Sequence, residues 1–246
     1  EITCRDWSSD VCSSDLKDSG VGCVVNVGSN MKNSEKSVRL AQQNDFIFAA
    51  VGVHPHDVKD MKDSDIAALE ALSKNKKVVA IGEIGLDYYY DNSPRETQKY
   101  WFKKQLSLAE RLGMPVIIHT REATADTLKI LKESKAKGVV HCFSESSEVA
   151  RQVVEMGYYI SFGGTLTYKN ARNAVLSAEA VPLDKILIET DCPYLSPEGH
   201  RGERNDSSLM SIVCRRLAEI KGVTYEEAAD ATYKNAQRVY RIDNKL

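Results

Sequence analysis

Val78-Val79-Ala80-Ile81-Gly82-Glu83 is an unbroken apolar run that ends on a glycine and a carboxylate. A strand of this kind has no polar face, so it must be covered on both sides, as the strands of a parallel sheet are. A carboxylate beside a glycine at a buried strand end needs a partner. The pattern recurs outward in both directions. Val21–Val27, Ile47–Val53, Val78–Gly82, Val116–His119, Val139–His141, Tyr158–Phe162 and Ile186–Glu189 read as strands. Amphipathic helical stretches fill the intervals. Ser93-Pro94-Arg95-Glu96 predicts a capping box with proline at the first helical position, and Gly113 ends that helix. Glu148–Met156 runs into Gly157 in the same way, and Thr224-Tyr225-Glu226-Glu227 caps a last helix that reaches about Tyr240.

Strands alternating with helices predict a parallel α/β fold. No GxGxxG follows the first strand, which leaves a dinucleotide-binding sheet without support. The expected fold is a TIM (β/α)8 barrel whose first strand is lost or replaced, because the eighth strand that a barrel needs should precede Val21. Residues 17–246 read as one domain. Glu1–Leu16, EITCRDWSSDVCSSDL, repeats Ser-Ser-Asp and has neither helical nor strand periodicity. Asp6–Leu16 resembles the conceptual translation of a common sequencing-library adapter. The segment reads as a non-native replacement of the true N-terminus, with a disordered tail as the alternative.

The chain has 246 residues, long enough for one such barrel, and a hydrophobic fraction of 42%, ordinary for a globular protein. No signal peptide or membrane-spanning run stands out, so the expectation is a cytoplasmic, monomeric enzyme with no membrane partner. A net charge of −2 excludes DNA binding by a basic coat. A nuclease would then need local positive charge, which bound divalent ions supply. The six cysteines show no CxxC spacing, which argues against zinc ribbons and redox pairs and for reduced thiols.

The C-terminal tips of the strands read Gly28, His54, Glu83, His119, His141, Gly163 and Asp191. In a barrel these tips meet on the face that carries active sites. A single histidine there is ordinarily a hydrogen-bonded structural residue, and Asp191 by itself is also a plausible turn acid before Pro193. Together, imidazoles and carboxylates suit Zn, Mn, Fe or Ni, and a carboxylate can bridge two ions.

These positions lie in longer motifs. Gly52-Val53-His54-Pro55-His56, Gly82-Glu83-Ile84-Gly85-Leu86-Asp87 and Pro115-Val116-Ile117-Ile118-His119-Thr120-Arg121 are followed by Glu189-Thr190-Asp191-Cys192-Pro193-Tyr194-Leu195 and Arg201-Gly202-Glu203-Arg204-Asn205. In that order they resemble the GxHPH, GEIGLD, PVxIHxR, ETDxPYL and RGxRN motifs of the TatD family of metal-dependent deoxyribonucleases. His141-Cys142-Phe143-Ser144 matches the family's HxFSG more loosely, with Glu145 where glycine is usual, and Asp206-Ser207 replaces the usual acid-Pro. The resemblance implies a 3′-5′ exonuclease-like enzyme that hydrolyses DNA phosphodiesters through a metal-activated water, using divalent Mg, Mn or Zn. It implies that Glu83 bridges two metals, that His119 and His141 hold one ion with it, and that Asp191 binds the other ion or orients its water. His54 would lie near the scissile phosphate, and Arg121, Arg201 and Arg204 would contact phosphates. The family also opens with a strand bearing His-x-His, and this chain has none before His54. The expectation is therefore an impaired site that keeps one metal through Glu83, His119 and His141.

Two rivals share these residues. One is a small-molecule hydrolase of the wider superfamily, acting on amides, lactones or phosphoesters, since fold does not fix function. The other is a catalytically impaired barrel that acts as a binding protein. Tyr88, Tyr89 and Tyr90 read either as residues partly buried at the barrel mouth or as a platform for bases.

Overall fold

The computed structural model describes residues 20–242. The expected segment 1–16 lies outside the described residues. Among those described, seven strands alternate with helices, and four pairs of neighbouring strands run parallel. They are β1 (Val24–Val27), α1 (Met31–Gln43), β2 (Ile47–Val51), α2 (Asp63–Leu72), β3 (Val78–Asp87), α3 (Arg95–Leu112), β4 (Val116–Arg121), α4 (Thr124–Glu133), β5 (Gly138–Val140), α5 (Ser147–Glu155), β6 (Tyr159–Phe162), α6 (Arg172–Ala180), β7 (Ile186–Ile188), α7 (Met210–Lys221) and α8 (Tyr225–Tyr240). Val25–Val140 forms one compact unit. The chain from His141 onward, with the segment that ends at Val24, forms the other.

In the first unit, β1 to β5 neighbour one another in chain order. Every residue of β2 and β3 is buried, as strands covered on both faces must be. The strand expected to stop at Gly82 instead runs on to Asp87. Its register against β4 shifts between Ile81 and Ile84 and then pairs Gly85 with His119 and Asp87 with Arg121. The glycines do not break this strand; they let backbones approach. A Cβ on Gly82 would lie 2.6 Å from the Cβ of Ile117. One on Gly85, whose φ is +145°, would lie 1.9 Å from the carbonyl oxygen of His119.

Helix α3 packs its apolar side, with Trp101, Phe102 and Leu106, into the core. Two glutamines on the same side are fully buried. Gln105 accepts the Val53 N–H through Oε1 (2.8 Å) and donates Nε2–H to the Val53 carbonyl (3.0 Å). Gln98, two helical turns earlier, does the same for Asp87 at 2.8 and 3.0 Å. Backbone groups at the end of β3 and just beyond β2 are thus satisfied by one helix. The capping box expected at Ser93 does not form. The Ser93 hydroxyl donates to the His56 carbonyl and accepts the Lys59 N–H, and Pro94 is the N-cap rather than the first helical residue. Gly113 ends α3 in the left-handed conformation, as expected.

In the second unit, β6 and β7 pair in parallel. The Lys221 ammonium donates to the carbonyls of Ala178, Glu179 and Val181 at the end of α6. Asn235 of α8 donates to the carbonyls of Leu183 and Ile186, which ties the last helix to the start of β7. The predicted Thr224–Glu227 capping box is present at the start of α8. No helix of the described residues is long and apolar enough to cross a membrane.

Replacing Gln105 by Leu keeps the volume near that of the glutamine but strands a buried N–H and a buried carbonyl at Val53. Stability should fall by roughly 2–4 kcal/mol, read as a shifted urea midpoint at unchanged slope. A shift near zero would show that water satisfies both groups.

Candidate metal centre

The centre of the first unit is one imidazole between two carboxylates. Glu83 and Asp87 are four residues apart on β3, and period-two geometry puts them on one side of the strand with Gly85 between. The parallel register sets His119 of β4 opposite Gly85. His119 Nδ1 lies 3.1 Å from Glu83 Oε1, and its Nε2 lies 3.0 Å from Asp87 Oδ2. Glu83 is buried, and its backbone N–H donates to the Gly28 carbonyl.

His54 follows β2 and is almost wholly buried. Its N–H donates to the Ser29 carbonyl. Its Nε2 lies 3.5 Å from Glu83 Oε1, and its Nδ1 accepts the His56 N–H at 3.2 Å. The rings of His54 and His119 meet edge-on at 4.4 Å. His54, Glu83 and His119 thus offer ligand atoms that all lie within 4.8 Å of one another. One carboxylate and two imidazoles at that spacing form a donor set that fits a divalent metal.

Asp87 had no role assigned from the sequence. Its Oδ2 receives both His119 Nε2 and His56 Nε2 at 3.0 Å, while its Oδ1 accepts the N–H groups of Tyr89 and Tyr90. Burial by itself would raise the Asp87 carboxyl, but hydrogen bonds from His119, the Tyr90 amide and His56 outweigh it and hold the group well below the usual carboxylate range. The signal that could have found it is spacing: it is the next carboxylate on the side of the strand that carries Glu83.

The three tyrosines separate. Tyr88 is half-buried and donates its hydroxyl to Asp126 at 2.6 Å; burial, then that contact, pushes its phenol far above the ordinary tyrosine value. Tyr89 and Tyr90 are more than half exposed, and their rings meet edge-on at 4.8 Å. The Arg121 guanidinium lies 4.0 Å over Tyr89 and 5.0 Å over Tyr90. Tyr90 also meets the His56 ring at 5.2 Å, and His56 meets His54 at 4.3 Å.

His141, Asp191, Arg201 and Arg204 belong to the second unit. His141 is buried, with Nδ1 3.3 Å from Glu189 Oε1. Glu189 is itself wholly buried. It accepts the Cys142 N–H at 2.6 Å and the Ser161 hydroxyl. Sequence reading placed it at a strand end and at the head of the ETDxPYL-like motif, with no role assigned. Asp191 follows β7 in a turn whose carbonyl accepts the Tyr194 N–H at 2.8 Å. Asn205 ties the arginine loop to that turn through Pro193 and Tyr194. Arg201 and Arg204 are exposed, and Arg201 lies over the Tyr168 ring at 4.6 Å.

The family model for TatD related DNase matches residues 5–241. YabD of Bacillus subtilis, described as an uncharacterized metal-dependent hydrolase, is 45% identical over 223 residues, 89% of this chain and 88% of its own. YcfH of Escherichia coli carries the same description and is 42% identical over 207 residues, 83% and 77% of the two chains. The crystal structure of YjjV, a TatD homologue from Escherichia coli, aligns with a TM-score of 0.87 at 31% identity, covering 93% of this chain and 90% of its own. That likeness bears out the α/β barrel class read from the sequence.

Glu189→Ala should cost roughly 3–5 kcal/mol in chemical denaturation, because the Cys142 amide and the Ser161 hydroxyl lose a buried acceptor. Ser161→Ala, which removes one donor and leaves the carboxylate its others, should cost about 1 kcal/mol. Equal effects of the two substitutions would contradict this division.

Proposed function

This chain belongs to the TatD-related DNase family, and from that premise we propose that it hydrolyses DNA phosphodiesters from a 3′ end. With its relatives it is a metal-dependent hydrolase. The choice of DNA as substrate is supported by one run of contacts. The exposed Tyr89–Tyr90 pair continues through His56 to His54 and the His54–Glu83–His119 group. A platform of aromatic faces suits single-stranded nucleic acid, because every base has a face to stack.

When bound, the metal neutralises phosphate charge and lowers the pKa of the attacking water. Glu83 and His119 would hold it, and His141 and Asp191 keep the ligand roles that the family motifs imply. Glu83 is buried with the His54 and His119 rings beside it, and a divalent cation on that carboxylate would offset the cost of burying it. Tyr89 and Tyr90 would stack the terminal bases. Arg121, already seated on both rings, would meet the phosphate between them. Arg201 and Arg204 are the further phosphate contacts. We assign one tightly held ion per chain, with Glu83 and His119 among its ligands.

End-labelled single-stranded DNA with Mg²⁺ or Mn²⁺ should be shortened from its 3′ end. Chelation should stop the reaction, and Glu83→Gln should slow it roughly 10²–10³-fold. Intact DNA together with cleavage of a lactone or amide would give the assignment to the small-molecule rival. Elemental analysis should find one ion per chain, and two tightly bound ions would refute the one-ion reading. Tyr89→Ala and Tyr90→Ala should each raise KM for single-stranded DNA about 10-fold with little change in kcat; unchanged KM would remove the stacking role.

A further inference from the structure

Proximity to Glu83 makes His54 and His119 look like equivalent ligands. The opposite nitrogen of each ring distinguishes them. A neutral imidazole carries one N–H and one lone pair, and whatever holds one nitrogen decides what the other presents. Both nitrogens of His119 face carboxylate oxygens, Nε2 that of Asp87 and Nδ1 that of Glu83; an ion on Glu83 takes the lone pair of the nitrogen beside it, Nδ1, and leaves the proton on Nε2 for Asp87 Oδ2. His54 Nδ1 faces the backbone N–H of His56, a group that can only donate. Nδ1 must therefore hold the lone pair, and Nε2, 3.5 Å from the same Glu83 oxygen, presents a proton.

We propose that Asp87 and the His56 amide impose opposite tautomers on the two imidazoles, making His119 a metal ligand through Nδ1 and His54 a hydrogen-bond donor through Nε2. Asp87 is then a positioning residue that acts through His119. His54 does not ligate; its N–H serves an anionic acceptor beside the metal, of which a phosphate oxygen of the substrate is the class that fits. The surroundings hold this arrangement firmly. Asp87 is buried, its second oxygen is held by the Tyr89 and Tyr90 amides, and its own backbone is held at both ends by Gln98. The His54 backbone is likewise tied to Ser29. The inference rests on the reading of Glu83 and His119 as metal ligands.

The test uses the intact protein with zinc as the probe. In nitrogen-15 spectra of the histidine-labelled, zinc-loaded protein, His119 should keep its Nε2 proton while its Nδ1 resonance moves to the metal-bound position. His54 should keep its Nε2 proton and show an unmetallated Nδ1. Asp87→Asn replaces Oδ2 by a donor at nearly the same shape while Oδ1 can still serve the Tyr89 and Tyr90 amides. That change should drive His119 to the other tautomer and weaken zinc binding about 10–100-fold in a chelator competition. His56→Ala removes the other ring on Oδ2 but leaves the backbone amide, and should change zinc affinity less than threefold. A His54 Nε2 bound to zinc, or a His119 that ligates through Nε2, would overturn the proposal while leaving the metal site standing. Zinc affinity unchanged in a folded Asp87→Asn protein would overturn the role of Asp87. Should that variant not fold, the wild-type spectra still decide the tautomers. A protein that binds no zinc at all would overturn the metal reading itself, and this inference with it.

Discussion

The imidazole of His119, held between the carboxylates of Glu83 and Asp87, is the constraint around which the first unit is arranged. Two buried acids on one strand would repel each other and lose their hydration; the ring stands between them, and its contact with Asp87 offsets part of that cost. That arrangement needs a strand long enough to carry both acids. It needs a neighbour in register at the midpoint, and no side chain between them. β3 extends to Asp87, β4 pairs His119 with Gly85, and the glycine has no Cβ to collide with the His119 carbonyl. Each of these features is legible as a consequence of the same three-residue contact.

The helix that follows β3 secures the strand ends from outside. Gln98 and Gln105 are polar residues on an apolar helix side, and each satisfies both backbone groups of one residue at or just beyond a strand end. The two residues so held are Asp87 itself and Val53, the neighbour of His54. Side chains whose chemistry depends on orientation are thus attached to backbone that cannot drift without exposing or orphaning buried polar groups. The second unit repeats the idea with a different acid. Glu189 stands behind His141 Nδ1, anchored by the Cys142 amide and the Ser161 hydroxyl.

Much of this was readable beforehand where the signal is local. The Thr224 cap and the Gly113 stop depend on a few neighbouring residues and appear where the sequence puts them. Ser93 shows the limit of local reading. Its hydroxyl had a helix to cap, but His56 and Lys59, distant in sequence, claim it instead. Gly82 misled in the same way. A glycine within an apolar run reads as a strand end, and here it marks close packing against Ile117 in a strand that continues. The tyrosine triplet was ambiguous because three identical residues carry no local difference. Only Asp126 on α4, hydrogen-bonded to Tyr88, separates the half-buried one from the exposed pair.

By itself the sequence determined the class of fold and the order of the elements, and it singled out Glu83 and His119, which the structure brings together. Apolar periodicity and motif order are properties of neighbours along the chain, and both survive without coordinates. What only the tertiary structure decided is which nitrogen of each histidine faces what, and that Asp87, Glu189 and the two glutamines hold the side chains and backbone around those histidines. Those facts depend on the register between strands and on contacts across tens of residues. A one-residue change in register would turn the same side chains to the other face of the sheet.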